Sequence, residues 1–121
     1  MVKIKLGNIG SREYNDYESF KTRIEELIKK NKLKVSHVVS GGAKEVDKMA
    51  EQWSKEKGFI FIEHLPDYKK YHLKKAPKER NNLIVNDADV IIAFWNGKSG
   101  GTKDAINKAR KSEKVLIIIE I

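Results

Sequence analysis

Five short apolar runs, rich in β-branched residues, alternate along the chain with four stretches in which apolar residues recur every three or four positions. Strand and helix alternating in this way, with short connections, leave few folds open. The sharpest example is Val38-Val39-Ser40-Gly41-Gly42-Ala43-Lys44-Glu45-Val46-Asp47. Residues 35–39 are mostly apolar and β-branched, as suits a strand covered on both faces. Ser40-Gly41-Gly42 ends that strand: two glycines admit positive φ and place no Cβ in the way of a ligand. Val46, Met49, Ala50 and Trp53 follow at i, i+3, i+4 and i+7, which is helical spacing. The outcome is a helix N-terminus with free backbone N–H groups at the carboxyl end of a strand, a place that attracts phosphate. The same residues would equally make a tight turn with no ligand, because a Gly-Gly turn is a weak motif.

The rest of the chain extends this pattern. Residues 3–9 carry Ile4, Leu6 and Ile9 and read as a first strand that ends within 7–10, followed by the loop Gly10-Ser11-Arg12. The first helix is expected to start near Asn15 or Asp16, with Asn15 and Glu18 at capping-box spacing. Its buried stripe is Tyr17, Phe20, Ile24, Leu27 and Ile28, and it ends around Asn31-Lys32. Gly58 closes the second helix as a C′ residue. Residues 59–62 form the third strand, and 64–75 a polar, aromatic loop. The third helix spans about 77–86, opening on Pro77, with Leu83, Ile84 and Arg80 turned inward. A turn at 87–89 leads to the fourth strand, 90–95, and a second glycine-rich loop, 96–101. The fourth helix, about 102–111, buries Ala105, Ile106 and Ala109, and 115–119 is the fifth strand.

Right-handed crossovers turn this order into an α/β fold of three layers. The expectation is one domain over residues 1–121, with a five-stranded parallel sheet in order 3-2-1-4-5 and helices on both faces. In such a sheet the chain reverses direction between strands one and four, and ligands bind in the crevice outside the carboxyl ends there. Three loops border that crevice: Gly10-Ser11-Arg12, Ser40-Gly41-Gly42-Ala43, and 96–102.

Composition removes whole classes of function. No cysteine is present, which excludes disulfides and thiolate chemistry and fits a reducing cytosol. The N-terminal Met1-Val2-Lys3-Ile4-Lys5 lacks a signal peptide's apolar region, and the longest apolar runs are too short to span a bilayer. A cytoplasmic protein with no membrane partner is expected. The net charge of +8, from 25 Lys+Arg against 17 Asp+Glu, favours anionic partners. Most of the excess is lysine spread along the chain, as on an ordinary solvated surface.

Familiar nucleotide motifs fail. Gly97-Lys98-Ser99 resembles the tail of a P-loop, but Ile92 stands where its first glycine is required. No G-x-G-x-x-G follows the first strand. His37, His64 and His72 lack ligand spacing, so neither a metal nor a cofactor is expected. What remains is anion chemistry. Gly100-Gly101-Thr102 opens the fourth helix, where N–H groups and a hydroxyl could hold an anion or Thr102 could simply cap the helix. Arg12 and Arg80 are two of only four arginines, and a guanidinium fork suits phosphate or carboxylate. Asp47, early in the second helix, could meet a ribose hydroxyl or pair with Lys44 or Lys48.

Together these residues resemble the SLOG superfamily of Rossmann-like proteins, nearest to its small YspA-related group. The resemblance rests on Gly10-Ser11-Arg12, on Ser40-Gly41-Gly42-Ala43 with Asp47 and Ala50, and on Trp53, Pro66 and Arg80-Asn81. It ends with Ala93-Phe94-Trp95-x-Gly97-x-Ser99-x-Gly101-Thr102. It covers nearly the whole chain and implies a ligand site for nucleotides or nucleotide-derived molecules of the ADP-ribose kind. That site would be built from Gly10, Ser11, Arg12, Ser40, Gly41, Gly42, Ala43, Asp47, Arg80, Asn81, Trp95, Gly97, Ser99, Gly100, Gly101 and Thr102. Kinship with Lonely-Guy phosphoribohydrolases and with the Rossmann domain of DprA implies homo-oligomers. Two departures stand out. Glu45 occupies a position where the group usually has glycine. Ala105 stands where the Lonely-Guy catalytic glutamate would be, so that activity does not carry over.

Three functions follow as expectations. The first is a sensor or binding module for a small nucleotide-like ligand. The second is a nucleotide hydrolase acting on an N-glycosidic or phosphate bond, with Asp47 as its catalytic carboxylate. The third is single-stranded nucleic-acid binding through Lys69, Lys70, Lys74 and Lys75, with Tyr68 and Tyr71 stacking on bases.

Overall fold

The computed structural model describes residues 3–11, 13–41 and 44–121, with Lys44 described by its backbone alone. Arg12, Gly42 and Ala43, three of the expected site residues, lie outside the described residues. The elements run β1 (Ile4–Gly10), α1 (Tyr17–Lys30), β2 (Val35–Ser40), α2 (Lys44–Lys57), β3 (Ile60–Glu63), α3 (Ala76–Asp87), β4 (Val90–Trp95), α4 (Gly100–Lys111) and β5 (Val115–Glu120). All strand pairs are parallel, in the order β3-β2-β1-β4-β5. The expected sheet and layers are the observed ones.

Alternation along each strand sends side chains to two cores. Leu6, Val38, Ile92 and Phe94 meet Phe20 and Ile24 of α1 and Val46, Ala50 and Trp53 of α2. On the other face Ile9, Val39, Ile91 and Ala93 meet Ile84 and Val85 of α3 and Ala105, Ile106 and Ala109 of α4. Burial of this kind contributes about 25 cal/mol per Å² of apolar surface removed from water. Aromatic contacts pin α1 and its entry loop to the central strands: Phe94 lies 5.1 Å from Tyr14 and 5.0 Å from Phe20 between ring centroids.

The structure decides one helix cap the sequence left open and departs from the expectation at the start of α4 and on the inner face of α3. Of the two expected caps of α1, Asp16 is the one used, rather than Asn15 in a box with Glu18: its carboxylate accepts from the Ser19 N–H at 3.1 Å. A carboxylate there also meets the positive end of the helix dipole. The fourth helix begins at Gly100, earlier than its apolar spacing shows, and Ser99 rather than Thr102 is its cap. In α3 Leu83 is half exposed, while Arg80, Asn81, Ile84 and Val85 are buried. That helix packs against both the sheet and α4 beside it, so its inward stripe follows 76/80/84 and 81/85, and Leu83 falls off it. The inward stripe is polar at its start because α3 begins beside the crevice.

The two candidate caps make different predictions. Asp16→Ala lowers unfolding stability by about 1 kcal/mol, the usual worth of an N-cap, whereas Asn15→Ala leaves it unchanged. Urea denaturation of the two variants measures this.

Candidate anion-binding cleft

After β1 the chain turns toward α1; after β4, its immediate neighbour, it turns toward α4 on the other face. Gly10 and Phe94 pair at the ends of these strands. Between the two exits lies a cleft of about 560 Å³. Ile9 and Ala105 give it an apolar floor. Of the expected site residues, Gly10, Ser11, Arg80, Asn81, Ser99, Gly100, Gly101 and Thr102 line it, and Glu13, Pro77, Asn96 and Lys98 join them.

The rim loops are tied down by their own polar groups. Ser11 donates its N–H to the Phe94 carbonyl at 2.9 Å, and its hydroxyl accepts from the Asn96 N–H at 3.2 Å. The Asn96 side-chain oxygen accepts from the N–H groups of Lys98 and Ser99, each at 2.9 Å, which folds the loop into a turn. The Trp95 indole donates to the Ser99 carbonyl at 3.1 Å. These bonds aim the first turn of α4 at the cleft. That turn begins Gly100-Gly101, and a Cβ built on either would meet nothing within 4 Å. The N–H groups of a helix's first turn have no intrahelical acceptor. Two glycines there expose them as no other residue would.

Arg80 is buried to 8 % exposure, and it is engaged. Its Nε donates to the Asn81 side-chain oxygen at 3.1 Å, and one terminal nitrogen donates to the Gly41 carbonyl. Asn81 in turn donates to Asp104 at 3.0 Å and to the Gly101 carbonyl at 3.3 Å, and Asp104 pairs with Lys108 at 2.7 Å. A chain of polar contacts thus runs from α4 through α3 to the loop after β2. Burial opposes ionisation of Asp104, but the Lys108 ammonium and the Asn81 amide outweigh it and hold the carboxyl below its usual range. The guanidinium borders the cleft while fastening to it the end of β2 at Gly41.

Several expected site residues have other duties. Gly41 sits at φ 133°, and a Cβ on it would fall 2.0 Å from the His64 carbonyl oxygen. The neighbouring chain exit by itself requires glycine here. Gly10 lines the cleft, but the space beside it is filled by Val46, 2.4 Å from a built Cβ. Ser40 is buried and donates to the Asn8 carbonyl at 3.1 Å. Ser40, Gly41, Asp47, Trp95 and Gly97 do not line the cleft. Asp47 is half-buried beside Ser40 and Glu63. Burial first, then the Glu63 carboxyl, push it up to about 7, against the Ser40 hydrogen bond. Lysine pairing, one of the sequence alternatives, is not seen with Lys48 among the described residues. Glu13 carries no motif, and Lys98 stands only in the Gly97-Lys98-Ser99 run whose P-loop pattern fails at Ile92. Asn96 had a usable signal, an Asn directly after a strand in a glycine-rich loop.

The chain matches the model of the YspA, cpYpsA-related SLOG family over residues 9–71, just over half its length, and it belongs to that family. It is similar to the Gene 61 protein of Mycobacterium phage D29, at 36 % identity over 81 residues. That match takes in 62 % of this chain and 64 % of the phage protein, so the chain spans less than two thirds of that relative. Its fold is shared by DNA processing protein A (DprA) from Streptococcus pneumoniae, with a TM-score of 0.75 and 19 % identity over 98 % of this chain and 51 % of that one. TM1055 shares it with a TM-score of 0.65 and 20 % identity over 95 % of this chain and 72 % of that one.

The two kinds of glycine separate in a stability measurement. Gly41→Ala lowers the melting temperature steeply, because both backbone conformation and space forbid a Cβ. Gly101→Ala leaves stability equal or up to about 1 kcal/mol higher. A pH series tests Asp47. A carboxyl raised in the folded state contributes stability that is full below its unfolded pKa, near 3.8, and is lost as pH rises through about 7. Asp47→Asn is therefore more stable than the parent at about pH 8, and the margin disappears near pH 4.

Proposed function

We propose that this chain is a binding or sensing module for a nucleotide or nucleotide-derived ligand of the ADP-ribose kind, held in the cleft between β1 and β4. The observation that carries this reading is the first turn of α4, where Gly100 and Gly101 present a bare backbone to a cleft bordered by Arg80 and Lys98. Backbone N–H groups and the helix dipole there favour a phosphate. Glu13, on the opposite rim, is a carboxylate that a sugar or base edge would face more readily than a second phosphate. Membership of the SLOG family supports a nucleotide-related ligand. No helix among the described residues is long and apolar enough to cross a membrane, and the cysteine-free chain suits the cytoplasm. Leu65 and Leu73, each about two thirds exposed or more, suit self-association into a homo-oligomer.

A second reading is single-stranded nucleic acid. The loop before α3 exposes Tyr68 and carries Lys70 and Lys75 at 5.4 and 5.6 Å from the Tyr71 ring. Aromatic rings among lysines suit stacked bases and a phosphate backbone. The fold shared with DprA, a DNA-processing protein, supports it. Hydrolysis of a nucleotide is the third, and its one support is the contact between Asp47 and Glu63.

Thermal unfolding against AMP, ADP, ATP, NAD, ADP-ribose and a short single-stranded oligonucleotide tests these readings. A ligand at about 100 times its dissociation constant adds about 2.7 kcal/mol, on the order of ten degrees for a domain of this size. The expected result is a shift with a nucleotide that Gly101→Glu abolishes without lowering the melting point of the free protein. The introduced carboxylate would sit in the anion's place, where the dipole favours it. A shift with the oligonucleotide alone, fading with salt as counterion release requires, contradicts the small-molecule reading.

A further inference from the structure

The helices α1 and α2 end alike. After α1 the Leu33 N–H donates to the Ile28 carbonyl at 2.9 Å, and the Lys32 N–H to the Lys29 carbonyl at 3.3 Å. After α2 the Phe59 N–H donates to the Ser54 carbonyl at 2.9 Å, and the Gly58 N–H to the Lys55 carbonyl at 3.3 Å. Each closing turn holds one residue in the left-handed region, Lys32 at φ 53° and Gly58 at φ 74°. The residues that follow, Leu33 and Phe59, pack against the α1–α2 core, and the Phe59 ring lies 5.4 Å from that of Trp53.

Between the two turns, where β2 and β3 begin, is a groove of about 580 Å³. It lies at the opposite end of the sheet from the cleft. Its apolar lining is Ile28, Leu33, Trp53 and Phe59, and its polar lining is Glu25 with Lys29, Lys32, Lys34 and Lys57. The carboxylate is already engaged: Glu25 pairs with Lys57 at 2.8 Å and accepts from the Trp53 indole at 3.4 Å. Lys29, Lys32 and Lys34 have no ion pair among the described residues. Lysines in the last turn of a helix answer its dipole, which accounts for Lys29 and Lys57. Lys32 and Lys34 stand beyond the helix, and the closing turn already supplies the last carbonyls with N–H partners.

We propose that this groove docks an acidic segment of a partner protein. One apolar side chain of that segment sits on Ile28, Leu33 and Phe59, and its flanking carboxylates pair with Lys29, Lys32 and Lys34. Charge complementarity chooses this occupant: an apolar floor supplies the affinity, and unpaired ammonium groups around it orient and select. Nucleic acid fits less well, because Trp53 is 1 % exposed and offers no indole face to a base. A membrane fits less well too. Ile28, Leu33 and Phe59 are half-buried among exposed lysines, whereas insertion into a bilayer needs projecting apolar side chains. The inference stands apart from the nucleotide reading, since a ligand in the cleft leaves the groove open.

Fluorescence anisotropy with the whole chain and three labelled octapeptides tests it. The first peptide has a central Leu-Phe pair flanked by aspartates. The second has Ala-Ala in the same frame, and the third has Leu-Phe flanked by lysines. The first binds, the second binds about tenfold more weakly or worse, and the third does not bind. Lys34→Glu weakens the first peptide about tenfold and Lys32→Gly about threefold. Lys111→Glu, the same charge change at the far end of α4, leaves its affinity within about twofold. Lys32→Gly melts at the same temperature or higher, because glycine suits the left-handed backbone there, and this separates lost docking from lost folding. Failure of the first peptide to bind overturns the inference. Equal binding of the alanine peptide overturns it as well, since charge alone would then suffice, and so does full affinity in the Lys32→Gly, Lys34→Glu double variant. Displacement of the peptide by a short single-stranded oligonucleotide whose own affinity falls in Lys34→Glu also overturns it and assigns the groove to nucleic acid.

Discussion

The pairing of β1 with β4 is the constraint from which the rest follows. These strands are central, parallel and covered on both faces, and after them the chain leaves in opposite directions. Backbone cannot fill the gap this creates, because α1 and α4 pack on different faces of the sheet. The cleft is therefore a consequence of topology. What the sequence adds is its lining: a helix that opens on two glycines, an arginine from α3, and loops pinned by Ser11 and Asn96.

Polar groups around the cleft do two jobs that are easily confused. The Lys108–Asp104–Asn81–Arg80 chain holds α3, α4 and the loop after β2 in a fixed relation. Taking away one member leaves its neighbours buried and unpaired, which is more damaging than never having had the network. Asn8 and Asp47, on the α2 side of the sheet, are different: among the described residues both polar side-chain atoms of Asn8 and one buried oxygen of Asp47 have no hydrogen-bond partner. A fully satisfied network rigidifies the elements it joins, whereas buried polar atoms left unpaired lower stability.

The layered sheet, its order and all nine elements were legible in the sequence, since strand and helix periods are unambiguous wherever a face is buried. Ends were less so. The helix at 100–111 starts before its apolar spacing shows, because its first residues face the cleft. Leu83 misled for a related reason: hydrophobicity alone does not say which side of a helix meets the sheet, and Arg80 and Asn81 took the inner positions by bonding to other elements. The glycines were legible as special but not in their purpose. Gly41 makes room for the His64 backbone, while Gly100 and Gly101 face open space. Asn8 and Glu63 were invisible, because only the register of three strands brings them together.

The central claim is that ligand phosphate rests on the start of α4. Its most direct test is a titration of the 15N-labelled protein with ADP-ribose, following backbone amide resonances. The account predicts that Gly100, Gly101 and Thr102 shift most, saturating together, with Asn96 and Asn81 following. Shifts confined to residues 64–75, with α4 unmoved, would contradict it.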